Sequence, residues 1–234
     1  MNSAIIVAAG SGTRFGSDIP KQFADLAGKP VLYYCLDTFE TTSLIDEIVI
    51  VAHPEFIGTT EQIALDFRIS KVSAVVPGGA TRAESTRRGV RAIDPASEVV
   101  LVHDGVRPFV HVDEIDAIVG TASAVGAACL VAPVTDTIKI VVDGKILETV
   151  DRSTLRRALT PQGFRSDILR RAFETAAADE QTTDECYAVE KLGLPVAAVE
   201  GNPRNIKITS QDDLRTASVL LSSLGRKAIN GCLE

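Results

Sequence analysis

"SAIIVAAGSGTRFGSDIPKQF" (Ser3–Phe23) decides how the rest of the chain is read. A short apolar run, Ser3–Ala9, passes straight into a loop holding Gly10, Gly12, Gly16 and Pro20, with the cations Arg14 and Lys21. Unbroken apolar character over so few residues suits a strand buried on both faces of a parallel sheet. Ligands of such sheets sit beyond the carboxyl ends of the strands, where this loop lies. Two nucleotide fingerprints fail on spacing. A dinucleotide site needs G-x-G-x-x-G opening directly into a helix, then an acid at the end of the second strand. Here the third glycine comes one position late, Pro20 delays the helix, and the run Glu47–Ala52 is followed by His53. A P-loop needs Gly-Lys-Ser/Thr, but Gly16 is followed by Ser17. What remains is either a flexible surface loop with two solvated cations or a long Gly-rich loop whose N–H groups can wrap phosphates, with Arg14 and Lys21 as counter-charges.

Four more apolar runs follow: Glu47–Ala52, Val72–Pro77, Glu98–His103 and Ala127–Pro133. They alternate with helical periodicity over residues 30–40, 61–67, 81–93 and 112–125. This order predicts an α/β fold: a mainly parallel, Rossmann-like sheet with helices on both faces, in one domain spanning 1–234. The rhythm breaks between Pro133 and Thr160. "TIKIVVDGKILETV" (Thr137–Val150) reads as a β-hairpin turning at Asp143-Gly144. Such a hairpin has too little apolar surface to stand alone, so residues 134–159 are expected to form an arm that packs on another part of the chain or on a second subunit. Helices are expected near 166–178 and 184–192, a strand over 195–201, and a last helix from about 210.

The chain has 234 residues, 45% hydrophobic and 24% charged, which suits a globular protein with a full core. Its net charge of -7 argues against a nucleic-acid partner and requires any anion site to be a local cluster of cations. No apolar run is long enough to span a membrane. A strand starting at Ser3 leaves no room for a signal peptide. Cys35, Cys129, Cys186 and Cys232 show no C-x-x-C spacing. They read as reduced thiols in a cytoplasmic protein.

The opening string A-A-G-x-G-x-R-x-G-x(3)-P-K-Q is followed in order by "PGGATRAES" (Pro77–Ser85), "VLVHDGVRPFV" (Val100–Val110) and "APVTDTIK" (Ala132–Lys139). After these come "TVDRSTLRRALTPQGF" (Thr149–Phe164), "TTDE" (Thr182–Glu185) and "EGNPRNIKIT" (Glu200–Thr209). Nearly end to end, this series resembles the 2-C-methyl-D-erythritol 4-phosphate cytidylyltransferase family of the non-mevalonate isoprenoid pathway. Its fold is the nucleotidyltransferase (nucleotide-diphospho-sugar transferase) type. The resemblance implies transfer of CMP from CTP to a polyol phosphate, with Mg²⁺, in a homodimer with an interlocked arm. It assigns Arg14 and Lys21 to the triphosphate, and Ala8, Ala9, Gly10, Gly79 and Ser85 to cytosine and ribose. It gives Thr137, Arg152, Thr160, Thr183 and Lys207 to the polyol phosphate, with Arg107 nearby. Thr137 and Arg152 would reach the partner subunit's site.

The residue types suit these roles. Arginine offers bidentate donors and lysine a mobile point charge. Asp104, ending a buried strand, either caps a turn or, facing a triphosphate, serves Mg²⁺, which takes few carboxylates. His103 reads as a packed neighbour, since an ionised phosphate nucleophile requires no base. Arg152 alone reads first as a surface partner of Asp151, and only its place inside "TVDR…LTPQ" turns it towards the substrate. Lys207 alternates with Ile206 and Ile208 and so points away from the buried face. Arg87, Arg88 and Arg91 read as a solvated helix face, and Arg82 as able to approach the phosphates. Two departures stand out: Ala80 replaces a polar residue of some relatives, and Gly105-Val106 stand where many have alanines. A ribitol 5-phosphate cytidylyltransferase and a catalytically inactive nucleotide-sensing module are the competing readings. "PVTDTIK" and "TVDR" favour methylerythritol phosphate over ribitol phosphate. Arg14, Lys21, Asp104 and Lys207 together argue against a sensor, which has no transition state to stabilise.

Overall fold

A computed structural model describes residues 1–10, 15–16, 19–175 and 184–230, with 224–230 as backbone. Strand β1 (Asn2–Ala8) leads through a small hairpin, β2 (Asp25–Leu26) and β3 (Lys29–Pro30), into α1 (Val31–Thr41). Strands and helices then alternate: β4 (Glu47–Ala52), α2 (Ile57–Asp66), β5 (Val72–Pro77), α3 (Arg82–Ala92), β6 (Val99–Asp104), α4 (Val112–Val125) and β7 (Ala127–Pro133). A separate hairpin, β8 (Lys139–Val142) and β9 (Lys145–Thr149), precedes the long strand β10 (Arg156–Arg165). After it come α5 (Ser166–Thr175), α6 (Glu185–Lys191), β11 (Ala197–Glu200) and α7 (Gln211–Asn230).

Seven strands form one sheet in the order β11-β7-β10-β6-β1-β4-β5. All neighbours pair in parallel except β10, which runs antiparallel between β6 and β7. The apolar runs divide their side chains between two cores by simple alternation. Ala4, Ile6 and Ala8 of β1 pack with residues of α1, α2 and α4. Ile5, one position out of phase, packs with residues of α3, α5 and α6 on the opposite face. Burial of both faces is why β1, β4 and β6 read as unbroken apolar runs. The expectation fails for Val72–Pro77, because β5 is the edge strand and stays half-exposed.

Strand β10 is the element of the main sheet that sequence reasoning missed. Arg156, Arg157, Gln162 and a proline interrupt its apolar pattern, and a proline ordinarily argues against an interior strand. The structure accommodates it with a shift of register between Ala158 and Gln162, which holds the cis Thr160–Pro161 bond. The sheet thus takes Arg156–Leu159 from the stretch 134–159 expected to form the arm. The hairpin itself turns where expected, with positive φ at both Asp143 and Gly144, the requirement of a tight two-residue turn. Cys35, Cys129 and Cys186 are buried free thiols, and Cys232 lies outside the described residues.

Candidate active site

The carboxyl ends of β1, β5 and β6 open into a cleft of about 500 Å³. Its walls include Ala8–Gly10 after β1, Lys21, Gly79–Arg82 and Ser85 around the start of α3, Asp104 closing β6, and Lys207. Each wall has a local cause. Gln22, itself buried, donates through Nε2 to the carbonyls of Ala8 (2.8 Å) and Gly10 (3.2 Å). That ties the end of β1 and Gly10 to the turn that carries Lys21. Gly78 donates to the Ala52 carbonyl at 2.7 Å. A Cβ on Gly78 would lie 2.2 Å from the Cβ of Ala9, so only glycine lets the two loops approach this closely. Thr81 caps α3 by accepting from the Glu84 N–H. The Ser85 hydroxyl accepts from the Gly79 N–H (3.1 Å) and donates to the Thr81 carbonyl (2.9 Å). Arg88 is no solvated cation: it donates to the Gly78 carbonyl (2.8 Å) and to Glu84 (2.6 Å), closing the same loop.

Charge gathers around one carboxylate. Asp104 is almost wholly buried, with Arg82 at 3.1 Å, Arg107 at 3.2 Å and Lys207 at 3.0 Å. Burial alone would weaken the acid and push its pKa up. The three cations, Arg82 foremost, outweigh that and hold the carboxyl well below the usual range. Arg82 in turn donates through Nη1 to both oxygens of Glu185, at 2.6 and 2.8 Å. Beneath Asp104, its backbone N–H donates to the Thr160 hydroxyl at 3.1 Å. That hydroxyl lies 3.0 Å from Nδ1 of His103, whose Nε2 faces the Arg107 carbonyl at 3.2 Å. Burial pushes the His103 imidazole down to about 4 despite the neighbouring Asp104. The ring is therefore neutral, donating from Nε2 and accepting at Nδ1. It is a packed neighbour, as the sequence indicates.

A buried acid among three cations at the carboxyl ends of a doubly wound sheet is an arrangement that can meet a polyanion. The sequence profile of 2-C-methyl-D-erythritol 4-phosphate cytidylyltransferase matches residues 2–223. The chain belongs to this family. The cytidylyltransferase of Geobacillus kaustophilus is 40% identical over 221 residues, covering 94% of this chain and 96% of the relative. That of Geotalea uraniireducens is 42% identical over 226 residues, covering 95% and 97%. Among solved structures, the 4-diphosphocytidyl-2C-methyl-D-erythritol synthase of Anaerococcus prevotii superposes with a TM-score of 0.84 at 32% identity, covering 94% and 95%. The Thermus thermophilus cytidylyltransferase superposes with a TM-score of 0.78 at 30% identity, covering 95% and 100%. The 2-C-methyl-D-erythritol 4-phosphate cytidylyltransferases join CTP to that polyol phosphate, forming 4-diphosphocytidyl-2-C-methyl-D-erythritol and pyrophosphate. The chain is such a nucleotidyltransferase.

Of the residues expected in a cytidylyltransferase site, the cleft brings together Ala8, Ala9, Gly10, Lys21, Gly79, Ser85, Asp104 and Lys207, with Arg82. Arg107 is one step back, on Asp104 and the Asn205 carbonyl. Thr160 is buried behind Asp104 and so supports the site instead of lining it. Thr137 and Arg152 are not on the cleft wall; Arg152 donates to the carbonyl of Thr135 at the base of the hairpin. Arg14 and Thr183 lie outside the described residues. Three supports drew no role from sequence reasoning. Gln22 sits inside the quoted "PKQF", Glu185 resembles an ordinary acid in the first turn of a helix, and Asn205 holds the Thr160 carbonyl at 2.8 Å.

Proposed function

We propose that transfer of CMP takes place in this cleft, with the triphosphate of CTP lying between Lys21, Arg82 and Lys207. The observation that carries this reading is the ion cluster on Asp104, where Arg82 and Lys207 are the two cations that also line the cleft. A phosphate oxygen of the polyol phosphate attacks the α-phosphorus, and the bond from that phosphorus to the bridging oxygen of pyrophosphate breaks. Charge builds on the transferring group and on the leaving group. Fixed cations already aimed at that position stabilise the transition state without reorganising. Asp104 holds Lys207 and Arg82 at the cleft wall. Ala8–Gly10 and Gly79 present backbone to the base and ribose, and Ser85 holds the Gly79 turn in shape.

Among the described residues no three His, Cys, Asp or Glu side chains converge as a metal cage. One ionised carboxylate on the cleft wall does fit Mg²⁺, which completes its shell with water and substrate phosphates. Asp104 is the residue that would hold it, and the ion would neutralise charge on the triphosphate. The apolar hairpin β8–β9 stands almost wholly exposed, with Ile146 at 66% and Leu147 at 70%. A second copy of this chain is the proposed cover, forming a homodimer in which Thr137 and Arg152 complete the partner's site. Buried unpaired thiols fit a reducing cytoplasm.

Pyrophosphate release from CTP, with methylerythritol phosphate or ribitol phosphate as acceptor, tests the assignment. Lys21→Ala is expected to lower kcat on methylerythritol phosphate by on the order of 10². Undiminished turnover in that variant would move the chemistry out of the cleft. Faster turnover of ribitol phosphate would favour the ribitol enzyme.

A further inference from the structure

Glu185 is the least exposed carboxylate in the neighbourhood of the cleft, at 1%, yet it is not on the cleft wall. It begins α6 and meets the first turns of α3 through Arg82 and Thr86. Both its oxygens accept from Nη1 of Arg82, and one also accepts from the Thr86 hydroxyl at 2.9 Å. The Nε of Arg82 meanwhile donates to Asp104. The guanidinium is therefore spanned between two buried acids and held by two of its edges, while the side chain still borders the cleft.

We propose that Glu185 is a positioning residue for the nucleotidyl transfer, fixing Arg82 so that its remaining donors face the triphosphate of CTP. The inference rests on the placement of the triphosphate given above. Asp104 alone cannot do this. It already receives Arg107 and Lys207, and an arginine tethered only at Nε turns freely about that bond. A carboxylate on the opposite edge fixes the plane of the guanidinium. It also balances the charge: with Glu185 the cluster comprises two buried acids and three cations, leaving one net positive charge for the substrate to meet. Without it, Arg82 would collapse towards Asp104 and compete with Lys207 for the same oxygens. The site would then lose one oriented donor and the mobility of another.

The test compares Glu185→Gln, Glu185→Asp, Arg82→Ala and the double variant Arg82→Ala/Glu185→Gln in steady-state pyrophosphate release, with both substrates varied. Glu185→Gln is expected to raise KM for CTP about tenfold and lower kcat, with KM for the polyol phosphate changed less than about twofold. Glu185→Asp, which keeps the charge, should recover most of the loss. In the Arg82→Ala background the second substitution should have no further effect, because its route to the substrate is already gone. Should Glu185→Gln not fold, the intermediate rise in KM for CTP expected of Glu185→Asp carries the same test. A lowered melting temperature with unchanged KM for CTP would overturn the inference, as would effects that multiply in the double variant. If Arg82→Ala itself leaves KM for CTP unchanged, the placement of the triphosphate fails. If Arg82→Ala raises it and Glu185→Gln does not, only the positioning role fails.

Discussion

His103 and Asp104 are sequence neighbours with opposite fates. The aspartate meets three cations and is ionised at every working pH. The histidine, turned to the other face of β6, is fully buried and held neutral, with its imidazole near 4. An unfolded histidine binds its proton near pH 6.5, so between about 6.5 and 4 the unfolded chain takes up a proton that the folded chain refuses. Stability is therefore full above pH 6.5 and declines as pH falls towards 4, by on the order of 3 kcal/mol from this residue. Denaturant unfolding at pH 7.5 and pH 5 checks it. His103→Asn should be less stable at pH 7.5 and should lose most of the decline between pH 6.5 and 5. A variant with the same decline would show that other groups cause it.

The elements that wall the cleft are loops held by strand ends and one helix start. The turn after β5 approaches the turn after β1 so closely that Gly78 leaves no room for a methyl group. Gly78→Ala would press a Cβ against Ala9, whose own Cβ is fixed to the backbone. Relief must come from moving one of the two loops. Overpacking of this kind costs about 1–3 kcal/mol. Because Ala9 and Gly79 both line the cleft, KM for CTP is expected to rise tenfold or more, with a melting temperature lowered by a few degrees. Steady-state kinetics with a thermal melt checks both. A stability loss with unchanged KM for CTP would separate this close approach from nucleotide binding.

For the whole molecule, the hairpin β8–β9 is the feature that one chain leaves unresolved. Ile140, Val141, Val142, Ile146 and Leu147 are all exposed on a two-stranded unit. Apolar surface on so small a unit calls for a cover. Sedimentation is expected to give a dimer for the native chain and a monomer for Leu147→Asp. If Arg152 serves the partner's site, inactive Lys21→Ala and Arg152→Ala chains should recover activity when co-folded. One site of each heterodimer then carries both lesions and the other neither, giving up to about half of wild-type activity per heterodimer. No recovery in confirmed heterodimers would assign Arg152 to its own chain's site.

Periodicity alone determined the alternation of strands and helices from Asn2 to Pro133, because strands buried on both faces leave an unbroken apolar record. Strand alternation and the turn dipeptide Asp143-Gly144 likewise identified the hairpin. The ordered motifs around Lys21, Asp104 and Lys207 then carried the family. β10 was illegible, since its burial comes from two neighbours distant in sequence while its own residues include arginines and a proline. Arg88 and Glu185 were illegible for the related reason that a charged side chain reads as solvated until its partner is known. Their partners come from the packing of α3 against the strand ends and against α6. Local sequence records what a residue prefers, whereas only the tertiary structure decides which distant group neutralises a buried charge.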